Sequence, residues 1–250
     1  MRKIMLPELT FPYLIPGQEV LLDDGKIHLK IVEKAENMAE NGGENTQGKR
    51  YFAKVLWGGL LKSRKSAALP GAKIYPPTLT NSDLANIKIA KEMGVTGVMQ
   101  PFVRDHSDLE CVKEALREAG AEDIRLFAKI ENMDGVRKLE KLLPAADEIV
   151  IARGDLGNAV HLWDLPGVQR QISEKCRAAG KPFMVVTQML ASMERSPVPT
   201  RAEVNDIFHA VMDGAASIMV TGETAVGDYP VEVIRYMVNT VRSAEKEENR

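Results

Sequence analysis

Residues 124–157 read IRLFAKIENMDGVRKLEKLLPAADEIVIARGDLG. Two short apolar runs, at 124–131 and 148–153, are separated in this stretch by a longer and more polar segment. Short runs that are apolar on both faces are typical of strands in a parallel sheet that is covered by helices. The stretch therefore predicts two strands of an α/β fold with a helical connection between them.

The same alternation extends from about residue 81 towards the end of the chain. Three further runs, at 95–100, 182–187 and 216–221, have the same strand pattern. Glycines stand where four of the intervening helices should end, at Gly94, Gly120, Gly180 and Gly214. Glycine is the usual residue just past a helix end because it adopts the left-handed conformation without strain. A repeated unit of helix, glycine and strand is therefore predicted.

Five such units fit either an open doubly wound sheet or part of a (β/α)8 barrel. The spacing of Ser107 and Glu110 indicates a capping box at the start of one helix. No G-x-G-x-x-G follows any of the predicted strands, which weakens the case for a dinucleotide-binding sheet. The periodicity leaves both architectures open, and the residues at the strand ends have to decide.

The first part of the chain has a different pattern. Apolar residues alternate from 18 to 33 around Asp24-Gly25, a dipeptide typical of a hairpin turn. The polar segment 36–49 is predicted to be an exposed loop, and residues 51–61 are predicted to be a further strand. We therefore expect a β-rich subdomain over residues 1–75 and a second domain over residues 76–250.

The composition argues against several classes of protein. The 250 residues include 33 Lys and Arg against 35 Asp and Glu, a net charge of −2 that does not suit nucleic-acid binding. Cys111 and Cys176 lack the spacing of a zinc site or a disulfide framework, so we expect the protein to be located in the reducing cytoplasm. No uncharged apolar run approaches the roughly 18 residues of a membrane-spanning helix, so no membrane partner is expected.

Polar side chains collect where the predicted strands end. In the run 124–131, the alternation of a strand places Lys129 and Glu131 on one face. The run 148–153 leads into Gly154-Asp155, where the glycine lets the backbone approach a ligand. Carboxylates from neighbouring strands suit Mg²⁺ or Mn²⁺, which prefer oxygen ligands and keep positions for water and substrate.

The two later strands add hydroxyls and a third carboxylate, because they end in Thr187 and in Thr221-Gly222-Glu223. Each residue alone has a common structural explanation, since a Lys/Glu pair is usually a salt bridge and Gly-Asp is usually a turn. Their recurrence at four successive strand ends favours one shared polar site. In a parallel α/β barrel, function lies at the carboxyl ends of the strands.

Five short motifs resemble the pyruvate kinase family in order and approximate spacing. They are AKIEN at 128–132, ARGDLG at 152–157, TQML at 187–190, PTRAE at 199–203 and GETA at 222–225. The similarity runs from about residue 18 to 245. It implies an α/β fold with an incomplete (β/α)8 TIM-barrel-like domain of about five βα units. A small β-rich subdomain that resembles the end of the family's inserted B domain would precede it.

The resemblance also implies a metal and a substrate class. Glu131 and Asp155 would bind Mg²⁺ or Mn²⁺, while Lys129 would neutralise charge on the phosphoryl group or the enolate. The small-molecule partner would then be a 2-oxo acid or an enol phosphate, such as pyruvate or phosphoenolpyruvate.

Substrate contacts are implied at the next strand ends. The substrate carboxylate would meet the backbone of Gly154 and Asp155 and the hydroxyl of Thr187. Thr221 and Glu223 resemble the region that the family associates with protonation of the enolate, although Thr221 replaces a usual serine.

The sequence departs from the family pattern in several places. The first three barrel strands of the family have no counterpart in this sequence. Those strands carry the family's monovalent-cation site, so K⁺ is not expected. Pro101, Ala159 and Ala68 replace a usual serine, glutamate and asparagine. The motifs for a metal and a pyruvate-like ligand are thus kept better than those for ADP and phosphate.

Three functions follow as hypotheses. The first is a pyruvate-kinase-like enzyme that binds a divalent metal and phosphoenolpyruvate or pyruvate and transfers a phosphoryl group to ADP. The second is a metal-dependent lyase or decarboxylase of a 2-oxo acid that acts through an enolate. The third is a non-catalytic binding or assembly protein. Because five parallel strands leave two open edges, we also expect a homo-oligomer or a covering of the opening by the β-rich segment.

Overall fold

In a computed structural model of the chain, the described residues are 3–23, 25–35, 50–63, 65–72 and 74–248. They belong to two compact units, Met1–Pro77 and Thr78–Arg250. The loop predicted at 36–49 lies outside the described residues.

The first unit is a four-stranded antiparallel sheet preceded by a 3₁₀ helix at Glu8–Tyr13. Its strands are β1 (Glu19–Leu22), β2 (Ile27–Lys34), β3 (Tyr51–Trp57) and β4 (Ala67–Ala68), in the spatial order β3-β2-β1-β4. The predicted hairpin is confirmed, because Leu22 pairs with Ile27 across a turn that holds Gly25 at φ +81°. The strand predicted over 51–61 ends at Trp57, before Gly58-Gly59, since glycine weakens strand pairing.

The second unit alternates strands and helices. The strands are β5 (Gly97–Gln100), β6 (Arg125–Ile130), β7 (Glu148–Ala152), β8 (Phe183–Val186) and β9 (Ser217–Met219). The helices are α1 (Asn81–Ala90), α2 (His106–Glu118), α3 (Met133–Arg137), α4 (Leu139–Leu142), α5 (Arg153–Ala159), α6 (Leu165–Ala178), α7 (Arg201–Met212), α8 (Gly222–Ala225) and α9 (Pro230–Glu248). A 3₁₀ helix at Ala191–Glu194 follows β8. All five predicted strands are present, each shorter than its apolar run.

These five strands form one parallel sheet in the order β5-β6-β7-β8-β9. Each strand pairs with the next one along the chain, as βαβ units with short connections do. Within the described residues, β5 and β9 do not pair with each other, so the sheet is not closed into a barrel. The structure therefore confirms the α/β class and the incomplete barrel.

The two faces of the sheet are covered differently. Leu126, Ala128 and Ile130 of β6 belong to the large core that the helices form on one face. A smaller apolar cluster around Val150, Ala152 and Val186 occupies the other face. Because side chains alternate along a strand, Lys129 lies on the face of this smaller cluster.

Four helices end in the same way. Gly94, Gly120, Gly180 and Gly214 have φ values of +71°, +63°, +62° and +86°. After α2, for example, the amide of Ala121 donates to the carbonyl of Leu116 at 2.9 Å, and the amide of Gly120 donates to that of Arg117 at 3.0 Å. This pair of bonds is the Schellman motif, and it recurs at the other three glycines. The glycine ends predicted from the sequence are confirmed.

The start of α2 differs from the prediction. The spacing of Ser107 and Glu110 predicted that Ser107 caps this helix, but the cap residue is Asp105. Its Oδ1 accepts hydrogen bonds from the amide and the hydroxyl of Ser107, at 3.0 and 2.5 Å, so the helix begins at His106. A carboxylate is a strong acceptor and interacts favourably with the positive end of the helix dipole. The capping box predicted at Ser107 is wrong for this reason.

Candidate functional site

Lys129 and Glu131 form a direct ion pair at the carboxyl end of β6. The Nζ atom of Lys129 lies 2.7 Å from Oε1 of Glu131, with side-chain exposures of 25% and 1%. The predicted sharing of one face is confirmed, and it follows from the two-residue period of the strand. A carboxylate removed from water needs a compensating partner, and the partly open ammonium of Lys129 supplies one.

A backbone amide provides the second partner of Glu131. The amide of Phe102, just beyond β5, donates to Oε2 of Glu131 at 2.7 Å. Phe102 itself has φ +52°, which orients this amide away from a regular strand. The next residue, Val103, accepts a hydrogen bond from Nδ2 of Asn132 at 3.1 Å. The end of β5 is thus tied to the end of β6. The side chains around Phe102 did not predict this contact, because the donor is a backbone amide.

Gly154 and Asp155 lie in the first turn of α5, immediately after β7. A Cβ atom placed on Gly154 would lie 3.0 Å from Cγ2 of Thr187, so the glycine allows the backbone to pass close to that side chain. The Asp155 side chain is half-buried at the end of the strand next to β6. Gly154 and Thr187 are therefore packed together, as their predicted shared site requires.

Thr187 has an uncommon backbone conformation. It follows β8 with φ +85°, and Gln188 after it has φ +55°. Left-handed values are strained for a side chain branched at Cβ, so the surroundings must hold Thr187 in place.

Arg153 provides this support, and sequence reasoning gave it no role. Its Nε and Nη2 atoms donate to the carbonyl oxygen of Thr187 at 3.2 and 2.7 Å. Its Nη1 atom lies 2.6 Å from Oδ2 of Asp206 on α7. The available signal was the position of Arg153 inside the ARGDLG motif, but a sequence does not show which carbonyl a guanidinium binds.

Glu223 is buried, and its two oxygens accept hydrogen bonds from two different loops. Oε2 accepts from the amide of Thr221 at 2.8 Å, and Oε1 accepts from the amide of Leu190 at 3.2 Å. The carboxylate thus links the segment after β9 to the segment after β8. Thr221 itself is exposed at the same edge of the sheet. The structure brings these two predicted residues together through the backbone of Thr221.

The predicted site residues lie at or just beyond the carboxyl ends of four neighbouring parallel strands. Direct contacts join Lys129 to Glu131, and Thr221 to Glu223. Glu131 and Asp155 follow β6 and β7, which are paired strands. Among the described residues, no three or more His, Cys, Asp or Glu side chains form a group that could hold a metal ion by themselves. Any metal at this edge would need ligands from substrate or water besides the two carboxylates.

The cysteines and the helices add two further observations. Burial raises the pKa of the Cys176 thiol to about 12, so this thiol stays protonated at neutral pH and is not a nucleophile. In the part of the chain that the structure describes, no helix combines the length and the low polarity needed to cross a membrane.

Comparison with known proteins gives a consistent result. Residues 6–234 match the family model described as the barrel domain of pyruvate kinase. The chain is 38% identical over 230 residues to a pyruvate kinase of Bacillus licheniformis, which covers 92% of this chain and 38% of that protein. It is 39% identical over 233 residues to the pyruvate kinase of Geobacillus stearothermophilus, with coverage of 92% and 38%.

A third pyruvate kinase, from Clostridium acetobutylicum, is 36% identical over 234 residues, which cover 94% of this chain and 47% of that protein. The chain therefore spans less than half the length of these three curated relatives. The match begins at residue 6, so it includes residues before the 18 at which the sequence motifs placed its start.

Proposed function

The chain belongs to the pyruvate kinase family, and from that premise we propose that it binds a divalent metal ion together with phosphoenolpyruvate or pyruvate. The site is the carboxyl edge of the parallel sheet. The observation that carries the proposal is the ion pair of Lys129 with the buried Glu131, next to the strand end that holds Asp155. It combines the cation and the oxygen ligands that a metal-bound anionic substrate needs.

Glu131 and Asp155 are the proposed ligands of Mg²⁺ or Mn²⁺. A carboxylate offers about four lone-pair positions, and at Glu131 the contacts described are one ammonium and one amide. Oxygen donors therefore remain for a cation, and Mg²⁺ typically takes one or two carboxylates and completes its shell with water and substrate oxygens. The bound ion would supply Lewis-acid stabilisation of negative charge on the substrate.

Lys129 is proposed to neutralise charge on the phosphoryl group or the enolate. Its ammonium is partly exposed, while Glu131 holds it on the face of the sheet that carries the smaller apolar cluster. A cation held in advance of substrate binding stabilises developing charge without a reorganisation step. Glu131 thus has two proposed roles, as a metal ligand and as the group that orients Lys129.

The substrate carboxylate is proposed to meet the backbone of Gly154 and Asp155 and the hydroxyl of Thr187. The close packing of Gly154 on Thr187 supports this, because one bound carboxylate could then contact both residues. Thr221 and Glu223 are proposed to act on the side where the enolate is protonated. Since both Glu223 oxygens accept backbone amides, its part there is to hold the segment that carries Thr221.

Titration calorimetry with Mn²⁺ and oxalate, a planar dianion that mimics the enolate of pyruvate, tests this proposal. We expect oxalate to bind only when Mn²⁺ is present. Glu131→Gln should lower the affinity for both Mn²⁺ and oxalate at least tenfold. Glu174→Gln is the matched control, because Glu174 pairs with Arg170 on the exposed face of α6. Oxalate binding that is independent of Mn²⁺ would overturn the proposal.

Phosphoryl transfer to ADP is proposed as the reaction, and a coupled assay with phosphoenolpyruvate, ADP and Mg²⁺ measures it directly. We expect turnover that Lys129→Met abolishes. Metal-dependent oxalate binding without turnover would restrict the function to binding of the metal and the 2-oxo acid.

We further propose a cytoplasmic homo-oligomer. Cys111 and Cys176 are both free thiols, as a reducing compartment maintains them. In the described part of the sheet, the end strands β5 and β9 each pair with only one neighbour, which leaves backbone groups open to a further strand. Light scattering tests this, because a monodisperse monomer would contradict an oligomer.

A further inference from the structure

We propose that Arg153 and Asp206 are positioning residues, which hold Thr187 in the left-handed conformation that presents its hydroxyl to the ligand. What Thr187 binds rests on the proposed function above. How its backbone is held follows from the contacts of Arg153 and Asp206, whichever ligand Thr187 binds.

The backbone after β8 is strained at two successive residues. Thr187 and Gln188 have φ values of +85° and +55°, and neither is glycine. A Cβ-branched residue in this region is a genuine outlier, and such conformations persist only where surrounding contacts over-determine them. The sequence therefore offers no local relief for this strain, and the relief must come from other elements.

Arg153 grips the peptide group where the strain lies. The carbonyl of Thr187 belongs to the peptide between Thr187 and Gln188, so its direction depends on ψ of the first residue and φ of the second. Two atoms of the Arg153 fork, Nε and Nη2, donate to this one carbonyl oxygen. A planar guanidinium that makes two bonds to one acceptor fixes the direction of that acceptor.

Asp206 in turn fixes the guanidinium. Its Oδ2 atom lies 2.6 Å from Nη1 of Arg153, whose side chain is 13% exposed. Asp206 lies near the middle of α7, between the capped start of the helix at Thr200 and its end at Met212. The strained peptide is thus connected through one side chain to a stable helix.

The start of α7 also holds the segment that follows Thr187. Glu203 accepts hydrogen bonds from the amide and the hydroxyl of Ser192, at 2.7 and 2.5 Å. Ser192 belongs to the 3₁₀ helix Ala191–Glu194 just beyond Gln188. The loop after β8 is therefore tied to α7 at the strained peptide, through Arg153 and Asp206, and again at Ser192.

Arg153 couples this loop to the strand end that carries Asp155. The residue after Arg153 is Gly154, whose backbone packs on the Thr187 side chain. A displaced guanidinium would release the carbonyl of Thr187 and shift the surface that Gly154 and Asp155 present. We therefore expect loss of the Arg153–Asp206 pair to lower the affinity for a ligand that contacts both loops, with a smaller effect on the free energy of unfolding.

The test compares Asp206→Asn and Arg153→Lys with Glu174→Gln, which alters an exposed ion pair of α6 away from this edge. The first readout is oxalate affinity in the presence of Mn²⁺, and the second is amide hydrogen exchange over residues 187–190. Each positioning variant should weaken oxalate binding about tenfold and raise the exchange rate about tenfold, while the control changes neither. Asp206→Asn keeps the side-chain shape, so it provides a folded variant even where Arg153→Lys does not.

A rescue separates positioning from general stability. Glycine adopts left-handed values without strain, so Gln188→Gly should restore part of the oxalate affinity in the Asp206→Asn background. Unchanged exchange at residues 187–190 in both positioning variants would overturn the inference, and so would absence of any rescue. If wild-type protein binds no oxalate, the proposed function fails, and the exchange measurement alone then decides whether Arg153 and Asp206 hold Thr187.

Discussion

The Nζ atom of Lys129 lies 2.7 Å from Oε1 of Glu131, a carboxylate that is almost completely buried. The contact pairs a cation with a carboxylate at the carboxyl end of β6, and it sets the charge balance of the proposed site. Glu131 also receives the amide of Phe102, so each of its oxygens has a partner. The pair is therefore both a structural element and the core of the proposed ligand site.

Lys129→Met should leave the Glu131 carboxylate without a compensating cation. We expect a loss of about 3 kcal/mol in the free energy of unfolding, because an uncompensated buried charge is more costly than a missing pair. The double variant Lys129→Met/Glu131→Gln should be more stable than Lys129→Met alone. Urea unfolding measures both, and a double variant that is less stable would contradict a buried charge pair at this position.

Glu223→Ala should show how much the Glu223 carboxylate contributes to stability. The change leaves the amides of Thr221 and Leu190 without their described acceptor, so we expect a loss of about 2–4 kcal/mol in the free energy of unfolding. Glu114→Ala, which removes an exposed carboxylate of α2, should change stability by less than about 0.5 kcal/mol. Equal effects of the two variants in thermal unfolding would contradict the role of Glu223.

Gly154→Ala should disturb the wall of the site. The new Cβ would lie 3.0 Å from Cγ2 of Thr187, so we expect weaker binding of oxalate with Mn²⁺. Thr187→Ser removes that methyl group and keeps the hydroxyl, and the double variant should recover affinity relative to Gly154→Ala alone. Gly167→Ala in α6 meets no atom within 4 Å and should instead stabilise the helix by about 0.5–1 kcal/mol. Titration calorimetry measures the oxalate affinity of the Gly154 and Thr187 variants, and thermal unfolding measures the stability of Gly167→Ala.

Asp108 should make the stability depend on acid pH. Burial by itself raises the pKa of this carboxyl, but hydrogen bonds from Arg104 and Thr78 outweigh it and lower the pKa to about 2. A folded-state pKa below the unfolded value of about 3.9 stabilises the protein above that pH, and the contribution is lost as the pH falls towards 2.

Asp108→Asn should therefore lower the free energy of unfolding by about 2 kcal/mol at pH 7, and the difference from wild type should shrink between pH 4 and pH 2. Chemical denaturation at several pH values measures this difference. A difference that stays constant over that range would show that folding does not lower the pKa of Asp108.

Local sequence signals accounted for the elements that local physics controls. The apolar runs located all five parallel strands, and Gly120 marked the end of α2 because only glycine accepts φ +63° there without strain. The prediction failed at the start of the same helix, where Ser107 and Asp105 are both good caps and only the chain path selects Asp105. Strand length was overestimated by one to three residues, because the runs extend over flanking residues such as Glu131, Arg153 and Thr187 that do not pair in the sheet.

The amino-acid sequence by itself determined the alternation of strands and helices, the hairpin at Leu22 and Ile27, and the common face of Lys129 and Glu131. These features follow from periods of a few residues and from the conformational freedom of glycine. Only the tertiary structure decided that Phe102 donates to Glu131 and that Arg153 binds the carbonyl of Thr187. Those partners are 29 and 34 residues apart. They meet only because successive parallel strands end at one edge of the sheet, where backbone groups that carry no sequence signal supply the bonds.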